Sequence, residues 1–428
     1  MSNVIANWWR SQQFKLAVSR GDNKNAVKIL QEIQKSGAKF SWLEKLFRDK
    51  LRLERLSQES QDEIANLRQQ LTVIPESKPD LLLTPSSDFI DFISQTFNLV
   101  QHDKYKLQAT GIEERIFEYL ETQLVDYIND EFSKFPEQQL SKKLADAIDD
   151  INNLKRGKDP DYRYSLTPHV YFMKYFLENV YCLYLAWFLI YQHGLLNHKM
   201  NILDIAAGPG TVAYGLALLL QSVNEFVTLP QIHISYYSLE KQDTFQYRGL
   251  QFWRQYIESQ AKPINAYYRF VTNDILNWQK QASSVPEKFF DFIVVSHCFF
   301  SDADTRVKAH NNYKEIFANG LNDQGYVLLI IQDKKLFKIY NCQLSEDQEK
   351  ERNIINQFLL ELGLKLVWYQ YLTSRDSRNP CSATEFSKFA EQTLPKQIYM
   401  TPLIQKYFGQ KYSSNYKLDD YVILGKRG

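Results

Sequence analysis

The sequence predicts an α/β fold in which a doubly wound, mostly parallel sheet of seven strands follows an all-α region. Two observations support this: short apolar runs alternate with helical stretches after Gly194, and helical periodicity dominates before it. Five apolar runs are predicted as strands separated by helices: 200–205, 232–239, 268–271, 290–295 and 326–331. Two later runs, 365–372 and 421–424, are predicted as further strands. Residues 373–420 between them are too many for a simple loop, so we expect an ordered insertion.

Composition narrows the class of protein. The chain carries 51 Lys and Arg against 50 Asp and Glu, a net charge of +1, whereas nucleic-acid-binding proteins usually have a clear excess of basic residues. A near-neutral net charge is still compatible with a local basic patch that binds nucleic acid. The four cysteines form no Cys-x-x-Cys pair, which is typical of a reducing cytosol. The N-terminal residues have no signal-peptide pattern, and the apolar run 180–191 is shorter than the roughly 20 residues that span a bilayer. We therefore expect a soluble, cytoplasmic protein without a membrane partner.

Three regions are predicted along the chain. Residues 1–74 form an N-terminal helical interaction region that ends in a charged helix over 42–71. Such helices are suited to self-association or to binding a protein partner. Residues 75–190 form a helical region that leads into the active site and covers it. Residues 191–428 form the α/β domain, with an insertion near 373–420.

The most informative segment is 201–211, Asn-Ile-Leu-Asp-Ile-Ala-Ala-Gly-Pro-Gly-Thr. Small residues at this strand-to-helix turn let a ligand approach the backbone closely, and the helix N-terminus adds a positive dipole end. A phosphate-binding loop would need a Lys after Gly210, which the sequence does not have. A dinucleotide fingerprint tolerates Ala213 in place of its third glycine, so the glycines alone leave NAD open. Asp204 before the turn and Pro209 within it fit that fingerprint poorly.

This segment resembles the first motif of the class I, Rossmann-like S-adenosylmethionine-dependent methyltransferases. That motif has the form D-x-G-x-G-P/T-G-T, and the chain has DIAAGPGT from Asp204 onward, with Ala206 where the family usually has Gly. The resemblance covers about half of the chain, from residue 190. It implies that S-adenosyl-L-methionine is the cofactor. The cofactor contacts that it implies in this motif are Asp204, Ala206, Ala207, Gly208 and Gly210.

The resemblance also implies contacts at the ends of the next strands. The family has an acidic residue after the second strand to hold the ribose hydroxyls, because a carboxylate accepts both; here this is Glu240, followed by Lys241. After the third strand the family has an acidic residue at the adenine amine; here this is Asp274, with Asn273 as its neighbour. The fourth strand ends in Ser296, at the sheet edge where open α/β sheets bind ligands. Such carboxylates at strand ends also have a plain interpretation, since most are simply solvated.

The segment after the fourth strand supplies the catalytic candidate. Methyl transfer needs an aligned nucleophile, and a general base helps when the acceptor is a hydroxyl or an ammonium. His297 could be that base because imidazole titrates near working pH; it could equally bond a backbone group at the strand end. Phe299 could stack on a planar substrate. Tyr171 and Tyr175, on the helix before the first strand, could cover the cofactor. Core packing would explain these three rings as well.

We interpret His297, Asp302, Asp304 and His310 as separate residues rather than a metal site. No two histidines have helical i, i+4 spacing, and the aspartates are placed to cap the next helix. The predicted function is S-adenosylmethionine-dependent methyl transfer to RNA, a protein side chain or a small molecule. The alternative is a methyltransferase-like scaffold that binds partners through its N-terminal helices without catalysis.

Overall fold

The computed structural model of the chain divides into two compact units, Met1–Pro79 and Asp80–Gly428. Among the residues that it describes, no helix is both long and apolar enough to cross a membrane. The described residues are 10–14, 16–17, 22–36, 82–154, 160–162, 164–260, 264–280, 285–378, 382–409, 411 and 413–428.

The described part of the first unit is a small helical cluster. Helix α1 spans Asn23–Lys35. Its buried face recurs at i, i+3, i+4 and i+7, as the sequence predicts for an amphipathic helix. The predicted helix at 42–71 lies outside the described residues, and a role of residues 1–74 in partner binding stays a prediction. The members of the buried cluster are Phe14, Ala17, Ala26, Ile29, Leu30 and Ile33.

The second unit combines a large sheet with helices on both of its faces. A π-helical turn, Phe172–Phe176, joins two of the helices, and a 3₁₀ segment, Ile275–Lys280, follows one strand. The strands are β1 Val100–Gln101, β2 Lys106–Gln108, β3 Lys199–Ile205, β4 His233–Glu240, β5 Asn265–Thr272, β6 Phe290–Ser296, β7 Leu321–Gln332, β8 Leu364–Thr373 and β9 Asp419–Arg427. The α-helices are α2 Ser87–Thr96, α3 Glu114–Phe132, α4 Glu137–Ile151, α5 Thr167–Tyr171, α6 Leu177–Gln192, α7 Thr211–Phe226, α8 Asp243–Tyr256, α9 Ala303–Gly320, α10 Asp333–Ile339, α11 Gln348–Glu361, α12 Ala383–Thr393 and α13 Met400–Phe408.

The nine strands form one sheet in the order β1-β2-β8-β9-β7-β6-β3-β4-β5. β5, β4, β3, β6 and β7 are parallel to one another, whereas β9 runs antiparallel to both β7 and β8. The predicted α/β fold with a mostly parallel sheet is thus confirmed, but the prediction of seven strands is wrong, because β1 and β2 extend the sheet beyond β8. These two strands have only two and three residues, too few for the alternation by which a sequence indicates a strand.

The two faces of the sheet carry separate hydrophobic cores. α6, α7 and α8 pack on one face, and α9 and α11 pack on the other. α6 contains the apolar run predicted as a buried helix, and it is buried almost throughout. It packs so closely on α7 that a Cβ added to Gly215 of α7 would lie only 2.8 Å from the Cβ of Leu183. Only glycine permits this approach.

Residues 374–418, here called the β8–β9 connection, overlap the segment predicted as an insertion and contain the helices α12 and α13. Their second helix, α13, begins against α3. The carboxylate of Glu121 accepts the backbone N–H groups of Tyr399 and Met400, both at 2.7 Å, and thereby satisfies donors at the start of α13. Burial raises the pKa of Glu121 to about 7.

Candidate functional site

The chain order of the strands reverses between β3 and β6. From β3 the chain moves through β4 to β5 and then returns to β6 on the other side of β3. The carboxyl ends of strands at such a switch point leave a crevice in which α/β proteins bind ligands. Ile205 of β3 is in register with Val295 of β6. The next residues, Ala206 in the turn after β3 and Ser296 at the end of β6, therefore lie at neighbouring positions on this edge.

The turn after β3 has a left-handed backbone at three positions. Ala206, Gly208 and Gly210 have φ angles of +56°, +53° and +83°. Alanine is strained in this region, which gives a physical reason why the family motif usually has glycine there. Gly210 precedes α7, and its N–H bonds the carbonyl of Ala207 at 2.8 Å. No described atom lies within 4 Å of a Cβ built on Gly208, so the turn leaves open space beside its backbone.

Glu240 connects the end of β4 to this turn. One carboxylate oxygen accepts the N–H of Gly208 at 2.8 Å, and the other accepts the N–H of Gln242 at 2.9 Å. The structure thus brings together two residues that the sequence assigns to one site. Lys241, next in the chain, forms a loose ion pair with Asp274, with 3.9 Å between Nζ and Oδ2.

Asp204, the first residue of the motif, is buried beneath the turn. Its side chain accepts a hydrogen bond from the hydroxyl of Tyr236 on β4. Burial raises the pKa of Asp204 to about 8; the Tyr236 bond opposes this rise and the Glu240 carboxylate adds to it. Asp204 is therefore mainly a neutral carboxyl group near pH 7, and it supports the turn from below.

Replacement of Asp204 by Asn is expected to flatten the dependence of stability on pH. The folded chain keeps the Asp204 proton up to about pH 8, whereas an unfolded aspartate loses it near pH 4. Unfolding then releases a proton between these values, so the folded state loses stability as pH rises through this window. Asp204→Asn removes this contribution and keeps a polar group beside Tyr236.

The measurement is the midpoint of thermal unfolding from about pH 5 to about pH 8. Glu121 and Asp333, whose pKa values burial raises to about 7, add slopes of the same sign, so part of the decline should persist. Asp302→Asn is the control, because a bond from Thr305 lowers the pKa of exposed Asp302. An unchanged slope in Asp204→Asn would contradict the assignment of a neutral carboxyl.

Asn273 and Asp274 follow β5 beside Glu240. The N–H of Asn273 bonds the carbonyl of Glu240 at 3.0 Å. The Asn273 side chain is buried, and its Nδ2 has no hydrogen-bond partner among the described residues. Because a buried unpaired amide is costly, this nitrogen marks a position where a ligand acceptor would be stabilised. Asp274 instead caps the 3₁₀ segment by accepting the N–H of Leu276 at 2.9 Å.

Two tyrosines lie side by side where α5 continues into the π-helical turn. The rings of Tyr171 and Tyr175 are 5.3 Å apart, and Tyr171 packs edge-to-face on Phe245 of α8 at 5.2 Å. Burial raises the pKa of Tyr171, and Tyr175 and Glu240 raise it further. Single π-turns within helices are frequent at functional sites. The sequence analysis did not identify Phe245.

His297 follows β6 in a left-handed conformation with a φ of +60°. Its backbone N–H bonds the carbonyl of Ile330 at 2.8 Å. Its ring contacts two side chains: Nδ1 lies 2.9 Å from Oγ of Ser296, and Nε2 lies 3.0 Å from Oδ1 of Asp420. Asp420 belongs to β9 and is 7% exposed. The backbone bond considered in the sequence analysis therefore involves the main chain of His297, while the imidazole is held by side chains.

An ion pair interacts electrostatically with Asp420 and His297. Oε2 of Glu178 on α6 is 3.5 Å from Nζ of Lys417, at the end of the β8–β9 connection. Burial raises the pKa of Glu178, and Asp420 raises it further. Lys417 and His297 lower this pKa. The side chain of Lys417 is 51% exposed, so solvent reaches the pair. The sequence did not indicate Glu178, Lys417 or Asp420. For Asp420 there was a possible signal, because two acidic residues in succession, Asp419 and Asp420, open β9.

The remaining candidates have structural roles. Phe299 is buried in the core, where its ring packs on Phe358 at 5.2 Å, and we leave it out of the proposed site. Asp302 caps α9 by accepting the N–H of Thr305, as expected. His310 pairs with Glu361 at 3.3 Å. In the described part of the chain, no three His, Cys, Asp or Glu side chains are grouped to hold a metal ion.

Comparison with known proteins gives matches among solved structures only. No family profile and no curated protein matches the chain. A methyltransferase dependent on S-adenosylmethionine from Methanosarcina mazei is 14% identical, with 55% of this chain and 96% of that chain covered and a TM-score of 0.31. Loganic acid methyltransferase has 11% identity, 64% and 98% coverage and a TM-score of 0.32. Coclaurine N-methyltransferase has 10% identity, 73% and 99% coverage and a TM-score of 0.32. These low values assign neither an activity nor an acceptor to this chain.

Proposed function

We propose that the chain is an S-adenosylmethionine-dependent methyltransferase whose cofactor lies at the carboxyl ends of β3, β4 and β5. The observation that carries the proposal is the bond from the N–H of Gly208 to the carboxylate of Glu240 at the switch point. When bound, the cofactor would supply a methyl group that is attached to a positively charged sulfur. A nucleophile would take up this methyl group.

The residues at this edge fit the chemical parts of the cofactor. The open space at Gly208 admits a ligand against the backbone. The N-terminus of α7 follows directly, and its positive dipole end suits the carboxylate of an amino-acid group. Glu240 supplies a carboxylate, a group that can accept hydrogen bonds from both ribose hydroxyls. The unpaired amide of Asn273 suits an adenine nitrogen, and Tyr171 offers an aromatic ring against which the ligand can pack.

A nicotinamide dinucleotide fits this edge less well. Its pyrophosphate would have to lie at the N-terminus of α7, where Pro209 has no N–H to donate. The turn cannot easily move to compensate, because Pro209 is packed against α8: a Cβ on Gly249 would lie 2.1 Å from its carbonyl oxygen. Separate calorimetric titrations with S-adenosylmethionine and with NADH test the proposal. Binding of NADH alone, or of neither, would overturn it.

Gly208→Val is expected to weaken the binding of S-adenosylmethionine by tenfold or more, about 1.4 kcal/mol, while the chain stays folded. The valine side chain would fill the space that we propose for the ligand. It would also be strained, because Gly208 has a φ of +53°.

Gly409→Val separates these two effects. Gly409, at the end of α13, has a φ of +64°, and open space is found there too: no atom of the described residues, its chain neighbours aside, lies within 4 Å of a built Cβ. It should therefore carry a similar backbone strain without touching the site. We expect both variants to lose thermal stability and only Gly208→Val to lose affinity in the titration. Equal affinities would remove Gly208 from the site.

A further inference from the structure

Three side chains form a hydrogen-bonded series at the carboxyl end of β6. Oγ of Ser296, the imidazole of His297 and the carboxyl group of Asp420 are joined by contacts of 2.9 and 3.0 Å. A carboxylate only accepts hydrogen bonds, so the nitrogen that faces Asp420, Nε2, has to carry the ring proton. Nδ1 of a neutral ring is then the acceptor, and the hydroxyl of Ser296 donates to it. The ring thus presents a lone pair toward Ser296.

The position of Ser296 connects this series to the proposed cofactor edge. Ser296 follows Val295, which is in register with Ile205 directly before the glycine turn. Ser296 and His297 are partly exposed, although Asp420 behind them is buried. A ligand group that entered beside Ser296 could therefore take the place of its hydroxyl on Nδ1.

We propose that the methyl acceptor is a hydroxyl group, that Nδ1 of His297 takes its proton, and that Asp420 positions the ring. This inference rests on the proposed methyl transfer. The acceptor oxygen gives its proton to Nδ1 and forms a bond to the methyl carbon, whose bond to sulfur breaks with its electron pair left on sulfur. The imidazolium that results is stabilised by Asp420 and later returns its proton to solvent.

The surrounding charges favour a hydroxyl over the other common acceptors. A carboxylate acceptor has no proton to lose, so its methylation would not need His297 as a general base. An ammonium acceptor would need an anion that faces it, but Glu178 is paired with Lys417 at 3.5 Å, and Asp420 is buried behind the ring of His297. The exposed ammonium of Lys417 would also repel a cation, whereas it would stabilise the negative charge that develops on an oxygen.

Nitrogen-15 NMR of protein labelled at histidine tests the positioning role without any cofactor. In the wild-type chain we expect the His297 signal, assigned with His297→Gln, to show the tautomer protonated at Nε2. Asp420→Asn should remove this preference. Asp419→Asn is the matched control, because that neighbouring carboxylate accepts the hydroxyl of Tyr371 at 2.7 Å instead; the His297 tautomer should stay unchanged. A wild-type ring protonated at Nδ1, or an unchanged tautomer in Asp420→Asn, would overturn the positioning role.

Transfer of a labelled methyl group from S-adenosylmethionine to phenol, benzylamine and benzoate tests the acceptor class. We expect labelled methyl ether from phenol alone, and about 10²-fold or more slower transfer by Asp420→Asn at unchanged cofactor affinity, the effect of a general base. Label on benzylamine or benzoate, or on none of the three while the cofactor binds, would overturn the hydroxyl assignment. Failure of the wild-type chain to bind S-adenosylmethionine would instead refute the proposed function, and the tautomer result would still stand by itself.

Discussion

Glu240→Ala is expected to weaken the binding of S-adenosylmethionine by roughly tenfold or more. A hydrogen bond to a charged acceptor contributes about 1.5–3 kcal/mol net, and about 1.4 kcal/mol is a factor of ten. The substitution would also release the N–H groups of Gly208 and Gln242, which the carboxylate now accepts at 2.8 and 2.9 Å. The turn that we propose as the floor of the site would then lose its side-chain hydrogen bond to β4 and keep the backbone bond from the N–H of Ala207 to the carbonyl of Leu239 at 3.2 Å.

Two comparisons separate the proposed ribose contact from this effect on the turn. Glu240→Gln keeps one acceptor oxygen and should lose less affinity than Glu240→Ala. S-adenosylhomocysteine and methylthioadenosine carry the same ribose, so calorimetric titration should show a loss for both. A loss confined to S-adenosylmethionine would place Glu240 near the sulfonium charge instead. Unchanged affinity for all three ligands would remove Glu240 from the site.

The length of each strand decided which parts of the sheet were predictable. β3 and β6, the shortest of the seven predicted strands, still have seven residues each, with mostly buried interiors, so both stand out as apolar runs. The first residues of β7 were missed, because polar Asn322, Asp323 and Gln324 interrupt the pattern beside a bulge in the pairing with β6. β1 and β2 are stabilised by pairing with each other and with β8. Such tertiary stabilisation leaves no local pattern.

The residues of the candidate site likewise differ in whether the sequence could predict them. The parallel strands bring their carboxyl ends to one edge, so the resemblance together with the predicted strand ends was enough to name Glu240, Asp274 and its neighbour Asn273 as candidates. His297 and Asp420 are 123 positions apart. They meet because β9 runs antiparallel beside β7, with Asp420 opposite Gln332, and this register cannot be read from local spacing. Glu178 and Lys417 likewise come together from a helix and a long connection.

Arg378, near the start of the β8–β9 connection, is the centre of a buried polar cluster. Its Nη2 lies 2.5 Å from Oε2 of Glu351 and 2.6 Å from the hydroxyl of Tyr421. Its Nη1 donates to the carbonyl of Ser345 at 2.8 Å, and its Nε lies 3.7 Å from Oδ2 of Asp333. Burial raises the pKa of Asp333 to about 7, and Arg378 opposes this rise. The guanidinium therefore balances two buried acids and holds the connection to the sheet.

Arg378→Ala is expected to lower the free energy of unfolding by about 3–5 kcal/mol, the usual result of removing one partner from a buried ion pair. Both Glu351 and Asp333 would lose their cation in a buried setting. Arg427→Ala is the control: Arg427 pairs with Asp323 at 2.9 Å, but the two side chains are 36% and 73% exposed, so its loss should cost below about 1 kcal/mol. Denaturant unfolding of the two variants measures the difference. Because Arg378 holds the start of the connection to the sheet, limited proteolysis should also cleave the connection faster in Arg378→Ala. Equal stability and cleavage in both variants would contradict an anchoring role.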